Sequence, residues 1–369
     1  MVIDFDRLRR WPDVEARELM AHDATDRLLL DVAEEALVAH PGHVTVAGDR
    51  HGALTLGAAT LVGEHELRVH QDSYSGELAL AANARALGSP ARWASLDLEP
   101  SLVEGARVVL VQLPRGLDAL DEIAQLVASH AHPDVQVFAG GRVKHMTLAM
   151  NDVLGRHFTE VRAGRAHQKS RVLTAAGPAA GPSRWPRRES HGDLVVVARA
   201  AAFAGPTVDV GTRLLLDTLA AAPVEAERVV DLGCGTGVLA ASYALDHPAA
   251  VVVATDQSSA AVASARATVE ASGVADRVSV LRDDAGGSLP GGSADLVLLN
   301  PPFHIGAAVH TGISHKLFTA AARLLRPGGE LWCVWNSHLA HRPALERIVG
   351  PTRQVARDRV FTVTVSTRR

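Results

Sequence analysis

The sequence predicts an α/β protein with two mostly parallel sheets, each covered by helices on both faces. Short runs of β-branched residues alternate with Ala-rich helical runs in the C-terminal half, a pattern typical of parallel sheets. The N-terminal half shows the same order of elements a second time. The length of 369 residues also exceeds what one hydrophobic core usually supports, about 250–300 residues. We therefore expect two domains.

The C-terminal half contains five expected strands, at Arg228–Leu232, Ala250–Thr255, Val278–Leu281, Asp295–Leu299 and Glu330–Trp335. Helical periodicity covers Ser258–Ser272 and His315–Leu325. The alternating Val, Phe and Thr residues of Arg353–Ser366 predict a closing β-hairpin.

The N-terminal half has four expected strands, at Val44–Gly48, Leu67–His70, Arg107–Gln112 and Val135–Ala139, and expected helices at Glu77–Leu87 and Leu117–His130. Overlaying the halves places Val46–Gly52 on Asp231–Gly237, Asp72 on Asp256, and Gln112–Arg115 on Asn300–Phe303. We infer a duplication in which the first copy has lost its chemistry. The alternative is that all doubly wound sheets look alike at this level.

Composition excludes several classes of protein. Apolar residues make up 47% of the chain and charged residues 21%, as in soluble globular proteins. No run reaches about 18 apolar residues, and residues 1–13 lack an apolar core, so we expect neither a membrane span nor a signal peptide. The two cysteines, Cys234 and Cys333, cannot form a disulfide framework or a cysteine zinc site, which favours a cytoplasmic location. Nothing in the sequence requires a dimer, and we expect a monomer.

The formal net charge of −4 is unevenly distributed. Residues 1–141 contain 22 Asp and Glu against 11 Lys and Arg, whereas residues 142–188 contain 10 Lys and Arg against 2 Asp and Glu. The basic run is either a phosphate-binding face or ordinary solvated surface.

Residues 177–190, GPAAGPSRWPRRES, are the expected domain boundary, because Pro and Gly replace apolar periodicity there. This boundary separates an expected domain at 1–176 from a second at 191–369. The segment is either a linker or an exposed basic arm that carries Arg184, Trp185, Arg187 and Arg188.

The segment Asp231-Leu-Gly-Cys-Gly-Thr-Gly237 follows a strand and precedes a helix. Its glycines allow a tight turn and close approach of the backbone to a ligand. Dinucleotide sites use G-x-G-x-x-G and direct a helix N-terminus at a pyrophosphate, whereas this loop has G-x-G-x-G led by an acid. An acid suits a ligand with a cationic amino-acid end and no phosphate, which describes S-adenosylmethionine.

Two further strand ends complete the expected cofactor site. Asp256 ends the second strand, where an acid can bind the two hydroxyls of a ribose. Asp283-Asp284-Ala285 follows the third strand and is placed to contact the adenine. Cys234 has no neighbouring base and is expected to be a small packing residue. The candidate cofactor-binding residues are Asp231, Gly233, Cys234, Gly235, Gly237, Asp256, Gln257, Asp284, Ala285 and Asn300.

The segment Asn300-Pro301-Pro302-Phe303 directly follows an apolar strand. The exocyclic amine of a nucleobase is a poor nucleophile because its lone pair is delocalised into the ring. An Asn side-chain oxygen and a neighbouring backbone carbonyl can accept both N–H bonds and turn the lone pair toward a methyl donor. The prolines stiffen the loop, and Phe303 offers a face on which an extruded base can stack. His304 is a further substrate candidate, and the histidines show no metal-binding spacing.

With these motifs and the preceding Phe203–Leu216, the C-terminal half resembles the ribosomal RNA guanine-N2 methyltransferases. The resemblance covers the whole chain, because Asp72–Leu78, Val108–Arg115 and Ala139–His145 resemble the inactive N-terminal domain of the large-subunit type. The small-subunit type is similar, and Asn336–Leu339 favours the large-subunit type. The resemblance implies two tandem class I methyltransferase-like, Rossmann-like domains, of which the N-terminal copy is degenerate.

The resemblance also implies transfer of a methyl group from S-adenosylmethionine to the N2 amine of a guanine in ribosomal RNA or a ribosomal subunit. Its catalytic residues would be Asn300, Pro301, Pro302 and Phe303. Phe303 and His304, together with Arg184, Arg187 and Arg188 of the basic segment, are the candidate RNA contacts. The N-terminal domain would help dock the RNA, but its acidity before residue 142 disagrees with that role unless the basic run 142–188 forms the docking face.

The residues alone leave other functions open. N-P-P-[FY] also occurs in enzymes that methylate adenine N6 or a glutamine amide. A non-catalytic, RNA-binding assembly factor with a vestigial fold is a rival from another class. A dehydrogenase is disfavoured by the spacing of the glycines.

Overall fold

The computed structural model describes residues 3–16, 18–222, 224–302 and 307–369. The chain divides into two compact units, Met1–Trp185 and Pro186–Arg369. Among the described residues, no helix is long and apolar enough to cross a membrane.

The N-terminal unit contains a seven-stranded sheet and its covering helices. Its strands are β1 (Val44–Ala47), β2 (Leu67–His70), β3 (Trp93–Ser95), β4 (Val108–Gln112), β5 (Gln136–Arg142), β6 (Phe158–Ala163) and β7 (Ser170–Pro178). Its helices are α1 (Ala24–Ala39), α2 (Ala53–Val62), α3 (Tyr74–Leu87), α4 (Pro100–Val103), α5 (Leu117–His130) and α6 (Ala149–Gly155).

The C-terminal unit contains a second seven-stranded sheet and a separate two-stranded sheet. Its strands are β8 (Arg187–His191), β9 (Leu194–Ala198), β10 (Arg228–Leu232), β11 (Val251–Asp256), β12 (Val278–Arg282), β13 (Ala294–Leu299), β14 (Leu325–Asn336), β15 (Thr352–Arg357) and β16 (Phe361–Thr367). Its helices are α7 (Val210–Ala221), α8 (Val238–Asp246), α9 (Ser259–Ala271), α10 (Ala307–Leu324) and α11 (Arg342–Ile348).

The two large sheets have the same strand order. It is β3-β2-β1-β4-β5-β7-β6 in the first and β12-β11-β10-β13-β14-β16-β15 in the second. In each, the first five strands are parallel to one another, and the last two join the sheet through antiparallel pairings. The predicted fold class, including the repeated order and the closing hairpin, is confirmed.

Both faces of the second sheet are buried, as expected for parallel strands covered by helices. Successive residues of β10 alternate between two cores: Val229 packs in the one that contains Leu215 of α7, and Val230 in the one that contains Phe318 of α10. This burial fixes the strand register, and with it the side chains at the carboxyl ends of the strands.

The loops after β1 and β10 match residue by residue. Gly48 and Gly52 have φ of 80° and 97°, and the corresponding Gly233 and Gly237 have 78° and 81°. Val46, which is fully buried, takes the place of Asp231. The N-terminal copy therefore keeps the backbone of the loop but lacks the acid that leads it.

One predicted correspondence between the copies is wrong by one residue. Val46 lies opposite Val69 in β2, and Asp231 lies opposite Ala254 in β11. Asp256 stands two residues after Ala254, so its counterpart is Gln71 and not Asp72. Val46 and Gln71 are 25 residues apart, as are Asp231 and Asp256, so the two copies have the same length over this stretch.

The predicted linker, 177–190, contains ordered structure at both ends. Residues 177 and 178 finish β7, and residues 187–190 belong to β8, which pairs antiparallel with β9. The backbone N–H groups of Val195 and Val197 donate to the hydroxyls of Ser272 and Thr268, at 3.0 and 2.9 Å. Side chains of the α9 region thereby satisfy strand donors that would otherwise be unpaired.

Candidate active site

The predicted site lies at the carboxyl edge of the second sheet. β10 lies between β11 and β13, so the loop after β10 has a strand end on either side. Asp231 is opposite Ala254 of β11 and Leu298 of β13. Asp256 and Asn300 each follow these partners by two residues. The three predicted residues therefore lie together at the edge where open α/β sheets bind ligands.

The glycine loop has open space beside it. Gly233 and Gly235 have positive φ, and a Cβ added at either would meet nothing within 4 Å. A Cβ at Gly237 would lie 3.0 Å from Ala265 of α9. The first two glycines thus leave room for a ligand, whereas the third allows two helices to pack closely.

Asp231 is a buried carboxylate with an incomplete set of partners. Its Oδ2 accepts a hydrogen bond from the Ala240 N–H at 3.0 Å, and its buried Oδ1 has no partner among the described residues. Burial raises the pKa of Asp231 to about 7; the Ala240 hydrogen bond opposes the rise and the charge of Asp256 adds to it. A cationic ligand group would stabilise this carboxylate.

Asp256 connects the glycine loop to the second strand. Its Oδ2 accepts from the Gly235 N–H at 3.0 Å and its Oδ1 from the Ser258 N–H at 2.9 Å. A carboxylate can only accept hydrogen bonds, and it has about four lone-pair sites, a chemistry that suits ribose hydroxyls. The next predicted residue, Gln257, is exposed.

Cys234 is buried inside the loop. Burial raises the pKa of its thiol well above the ordinary value, with the charges of Asp256 and Asp231 adding to the rise. A thiol in this environment is a poor nucleophile, in line with the packing role expected from the sequence.

The Asp283-Asp284-Ala285 segment serves two purposes. Asp283 is buried and holds the turn, because its Oδ2 accepts from the N–H and the hydroxyl of Ser288 at 2.9 and 2.7 Å. Asp284 forms an ion pair of 2.6 Å with Lys316 of α10. Ala285 has a positive φ of 53°. Asp284 belongs to the segment expected to contact adenine, and its Oδ2 is occupied by this ion pair.

Asn300 is held by two acceptors on the N-terminal turn of α7. Its Nδ2 donates to Asp209 Oδ2 at 3.1 Å and to Thr212 Oγ1 at 2.9 Å. Its Oδ1 is buried and has no partner among the described residues. Pro301 is buried and Pro302 exposed, and the predicted Phe303 and His304 lie outside the described residues.

Asp209 and Thr212 are functional candidates that the sequence analysis missed. On the same helix, Leu215 is fully buried in the core. Asp209 precedes an apolar helix in the position of an N-cap, and that signal could have marked it as structurally fixed. No sequence signal showed that it faces Asn300.

The arginines expected to form a basic arm lie in ordered structure, and Arg184 and Arg188 are exposed. Arg184 lies 3.7 Å from Asp121 Oδ2, and Trp185 Nε1 donates to the same oxygen at 3.1 Å. Burial alone would raise the pKa of Asp121, but hydrogen bonds from His157 and Trp185 outweigh it and lower that pKa. Arg187 and Arg188 lie in the paired strand β8. These residues are therefore held in place, and they do not form a free arm.

Two family models match the chain. The methyltransferase small domain matches residues 193–365, and the RLMG N-terminal domain matches residues 4–179. A ribosomal RNA large subunit methyltransferase G from Streptomyces coelicolor is 36% identical over 96% of both chains. One from Pseudomonas aeruginosa is also 36% identical over 96% of both chains.

The chain belongs to the ribosomal RNA large subunit methyltransferase G family.

A solved relative shares the fold of the whole chain. The T. thermophilus 16S rRNA N2 G1207 methyltransferase, in complex with AdoMet and guanosine, is 22% identical, with a TM-score of 0.74. The match covers 94% of this chain and 92% of that one. Membership of the large-subunit family confirms the resemblance inferred from the glycine loop and the N-P-P-F segment, and the two-domain fold agrees with it.

Proposed function

We propose that this protein transfers a methyl group from S-adenosylmethionine to the exocyclic N2 amine of a guanine in ribosomal RNA. The observation that carries the proposal is the buried Asn300 Oδ1, an acceptor with no partner among the described residues, next to the glycine loop. The names of the relatives support ribosomal RNA as the substrate.

The residues around the glycine loop fit S-adenosylmethionine. Asp231 offers an unpaired carboxylate oxygen to an ammonium group, and Asp256 offers lone pairs to ribose hydroxyls. The open space beside Gly233 and Gly235 leaves room for the ligand. When bound, S-adenosylmethionine supplies a methyl group on a positively charged sulfur. The chain therefore has to position the acceptor amine and needs no strong base.

Asn300 supplies that positioning. Its Oδ1 accepts one N–H of the acceptor amine, and the Pro301 carbonyl accepts the other. The two hydrogen bonds turn the nitrogen lone pair out of conjugation with the ring. Orientation of this kind contributes a large share of a rate enhancement. We propose that Phe303 stacks on the base and that His304 contacts RNA.

The N-terminal unit offers a cationic surface for docking the RNA. Arg50, Arg115 and Lys144 are exposed and lie in the segments that follow β1, β4 and β5, at the carboxyl edge of the first sheet. Desolvation and then the charges of Lys144, Arg115, Arg50 and Arg142 lower the pKa of His145, so all four cations act on this one side chain. We name Arg50, Arg115, Arg142 and Lys144 the basic edge. Arg184, Arg187 and Arg188 remain separate candidates for RNA contact.

The decisive experiment compares ribosomal RNA from cells with and without the protein by mass spectrometry of N2-methylguanosine. Loss of one such nucleotide in the large-subunit RNA is expected. Loss of N6-methyladenosine, or of a methylated glutamine in a protein, would favour one of the alternative acceptors. We place the reaction in the cytoplasm and expect a monomer; light scattering tests the latter.

Asn300→Ala is expected to reduce methyl transfer at least 100-fold, because the amine loses the group that orients it. Binding of S-adenosylmethionine, measured by calorimetry, should change little, since Asp231 and Asp256 remain. Transfer at the wild-type rate would show that Asn300 does not align the acceptor.

A further inference from the structure

The orientation of the Asn300 amide is fixed by chemistry as well as by distance. Asp209 Oδ2 lies 3.1 Å from Asn300 Nδ2, and a carboxylate oxygen can only accept hydrogen bonds. The NH₂ group must therefore face Asp209. Because the amide is planar, its oxygen faces the opposite way and stays without a partner among the described residues.

Asp209 is itself immobilised at the start of α7. The same Oδ2 accepts from the N–H groups of Gly211 and Thr212, at 3.0 and 3.2 Å. A Cβ added at Gly211 would lie 3.2 Å from this oxygen, so a larger residue there would displace it. Helix capping thus sets the position of the carboxylate that holds Asn300.

Thr212 provides the second acceptor. Its hydroxyl oxygen lies 2.9 Å from Asn300 Nδ2, and its side chain is 7% exposed. The two N–H bonds of the Asn300 amide are therefore both occupied. An amide whose two N–H bonds are occupied and whose oxygen is vacant can act on a ligand only as a hydrogen-bond acceptor.

The N-terminal copy contains a similar hydrogen bond between a strand end and a helix turn, but it has no Asn at that strand end. Gln112, at the end of β4, donates its amide N–H to Asp26 in the first turn of α1, and Asp23 caps that helix. Asp26 and Thr212 both stand three residues after their caps. In both copies, therefore, a residue at or directly after the end of the fourth strand of the unit's parallel core donates to the first turn of a helix: Gln112 to Asp26, and Asn300 to Thr212. The Asn with a vacant oxygen occurs in the second copy.

We propose that Asp209 and Thr212 are positioning residues, which fix the Asn300 amide so that Oδ1 faces the acceptor amine. This inference rests on the proposed function. Without them the amide can rotate by half a turn and present its NH₂ group to the N–H bonds of the amine. The NH₂ group of Asn300 and the N–H bonds of the amine, which are all donors, then face each other. The lone pair of the amine is no longer directed toward the methyl donor.

The test uses two substitutions at one residue. Thr212→Val removes the hydroxyl and keeps a similar shape, whereas Thr212→Ser keeps the hydroxyl. We expect kcat for methylation of ribosomal RNA to fall about tenfold or more in Thr212→Val. Thr212→Ser should stay within about threefold of wild type, since a hydroxyl acceptor remains. The dissociation constant of S-adenosylmethionine should not change in either variant.

A matched control is available on the same helix. Thr218 is also buried, but its hydroxyl donates to the Leu214 carbonyl at 2.6 Å and does not contact Asn300. Thr218→Val should leave kcat unchanged, which separates an effect on Asn300 from a general effect on α7. Asp209→Ser, which retains a good helix cap but a shorter side chain, should lower kcat further than Thr212→Val does.

The outcomes separate the inference from the proposed function. Wild-type protein that methylates no guanine in ribosomal RNA would refute the proposed function. Active wild type with unaltered kcat in Thr212→Val would refute the positioning role alone. Equal losses in Thr212→Val and Thr212→Ser would also refute it, because the hydroxyl would then not matter. Thermal denaturation of each variant shows whether a loss of kcat is due to unfolding. If Thr212→Val unfolds, the kcat of Thr212→Ser still tests the role of the hydroxyl.

Discussion

Asp231 combines a structural role with the binding role that we propose for it. One oxygen accepts from the N–H of Ala240, and the other is buried without a partner among the described residues. A buried carboxyl group with so few partners is costly to ionise, which is why the pKa of Asp231 rises to about 7. The strand and the glycines single out this residue in the sequence, but burial and the missing partner are tertiary properties that the motif does not contain.

Binding of S-adenosylmethionine should therefore depend on pH. Asp231 is largely protonated below pH 7 and ionised above it, and a cationic ligand favours the ionised form. We expect the dissociation constant to increase as pH falls from 8 to 6, by at most about tenfold per pH unit. Calorimetry in two buffers of different ionisation enthalpy should detect proton release on binding near pH 7.

Asp231→Asn is the control for this prediction. It has no titrating carboxyl at this position, so binding should be weaker and nearly independent of pH. A wild-type dissociation constant that stays constant from pH 6 to pH 8 would show that Asp231 does not titrate with binding.

At the scale of elements, the β8–β9 hairpin shows what the sequence could not reveal. The large sheets were predictable because their strands are buried on both faces and therefore appear as short continuous apolar runs, which are a local signal. β8 has the sequence R-R-E-S-H and follows a Pro- and Gly-rich stretch, so it shows no such signal. Its partner β9 obtains hydrogen-bond partners from Ser264, Thr268 and Ser272, which lie four residues apart on one helical face.

Thr268→Val should destabilise the C-terminal unit. Thr268 is fully buried, and its hydroxyl accepts from the Val197 N–H at 2.9 Å and donates to the Val197 carbonyl at 3.2 Å. A buried N–H left without a partner costs about 1–3 kcal/mol. Urea denaturation should show a loss of that size in the free energy of unfolding.

Thr268→Ser is the comparison for that measurement. It keeps the hydroxyl and should lose less stability than Thr268→Val. If the valine variant is as stable as wild type, the hydrogen bonds to β9 contribute little to folding.

At the scale of the whole molecule, one fold carries two different surfaces at the same edge of its sheet. The C-terminal copy has the acid, the open glycine loop and Asn300. The N-terminal copy has a buried valine in place of the acid, Arg50 in place of Gly235, and Arg115 in place of Phe303. The net acidity of residues 1–141 concealed this change, because total charge does not show where charges lie.

Neutralising the basic edge should weaken RNA binding in a salt-dependent way. Replacing Arg50, Arg115 and Lys144 together with Gln removes three positive charges at that edge. Each side chain that no longer binds a phosphate should reduce the magnitude of the slope of log K against log salt by about 0.7–0.9. Titration of ribosomal RNA at several salt concentrations measures this slope.

The control removes the same charge elsewhere on the N-terminal unit, through Gln at Arg85, Arg92 and Arg162, which are exposed. The control variant should retain the wild-type slope. Equal slopes in both triple variants and wild type would exclude the basic edge as a docking site.

The hydrogen bond between Asp209 and Asn300 also limits how this chain can evolve. An aspartate at position 300 would place a second carboxylate about 3 Å from the first, and two like charges at that distance repel strongly. Position 300 can therefore change to an acid only if position 209 changes with it. We therefore expect a survey of natural variants to find these two positions, 91 residues apart along the chain, changing together.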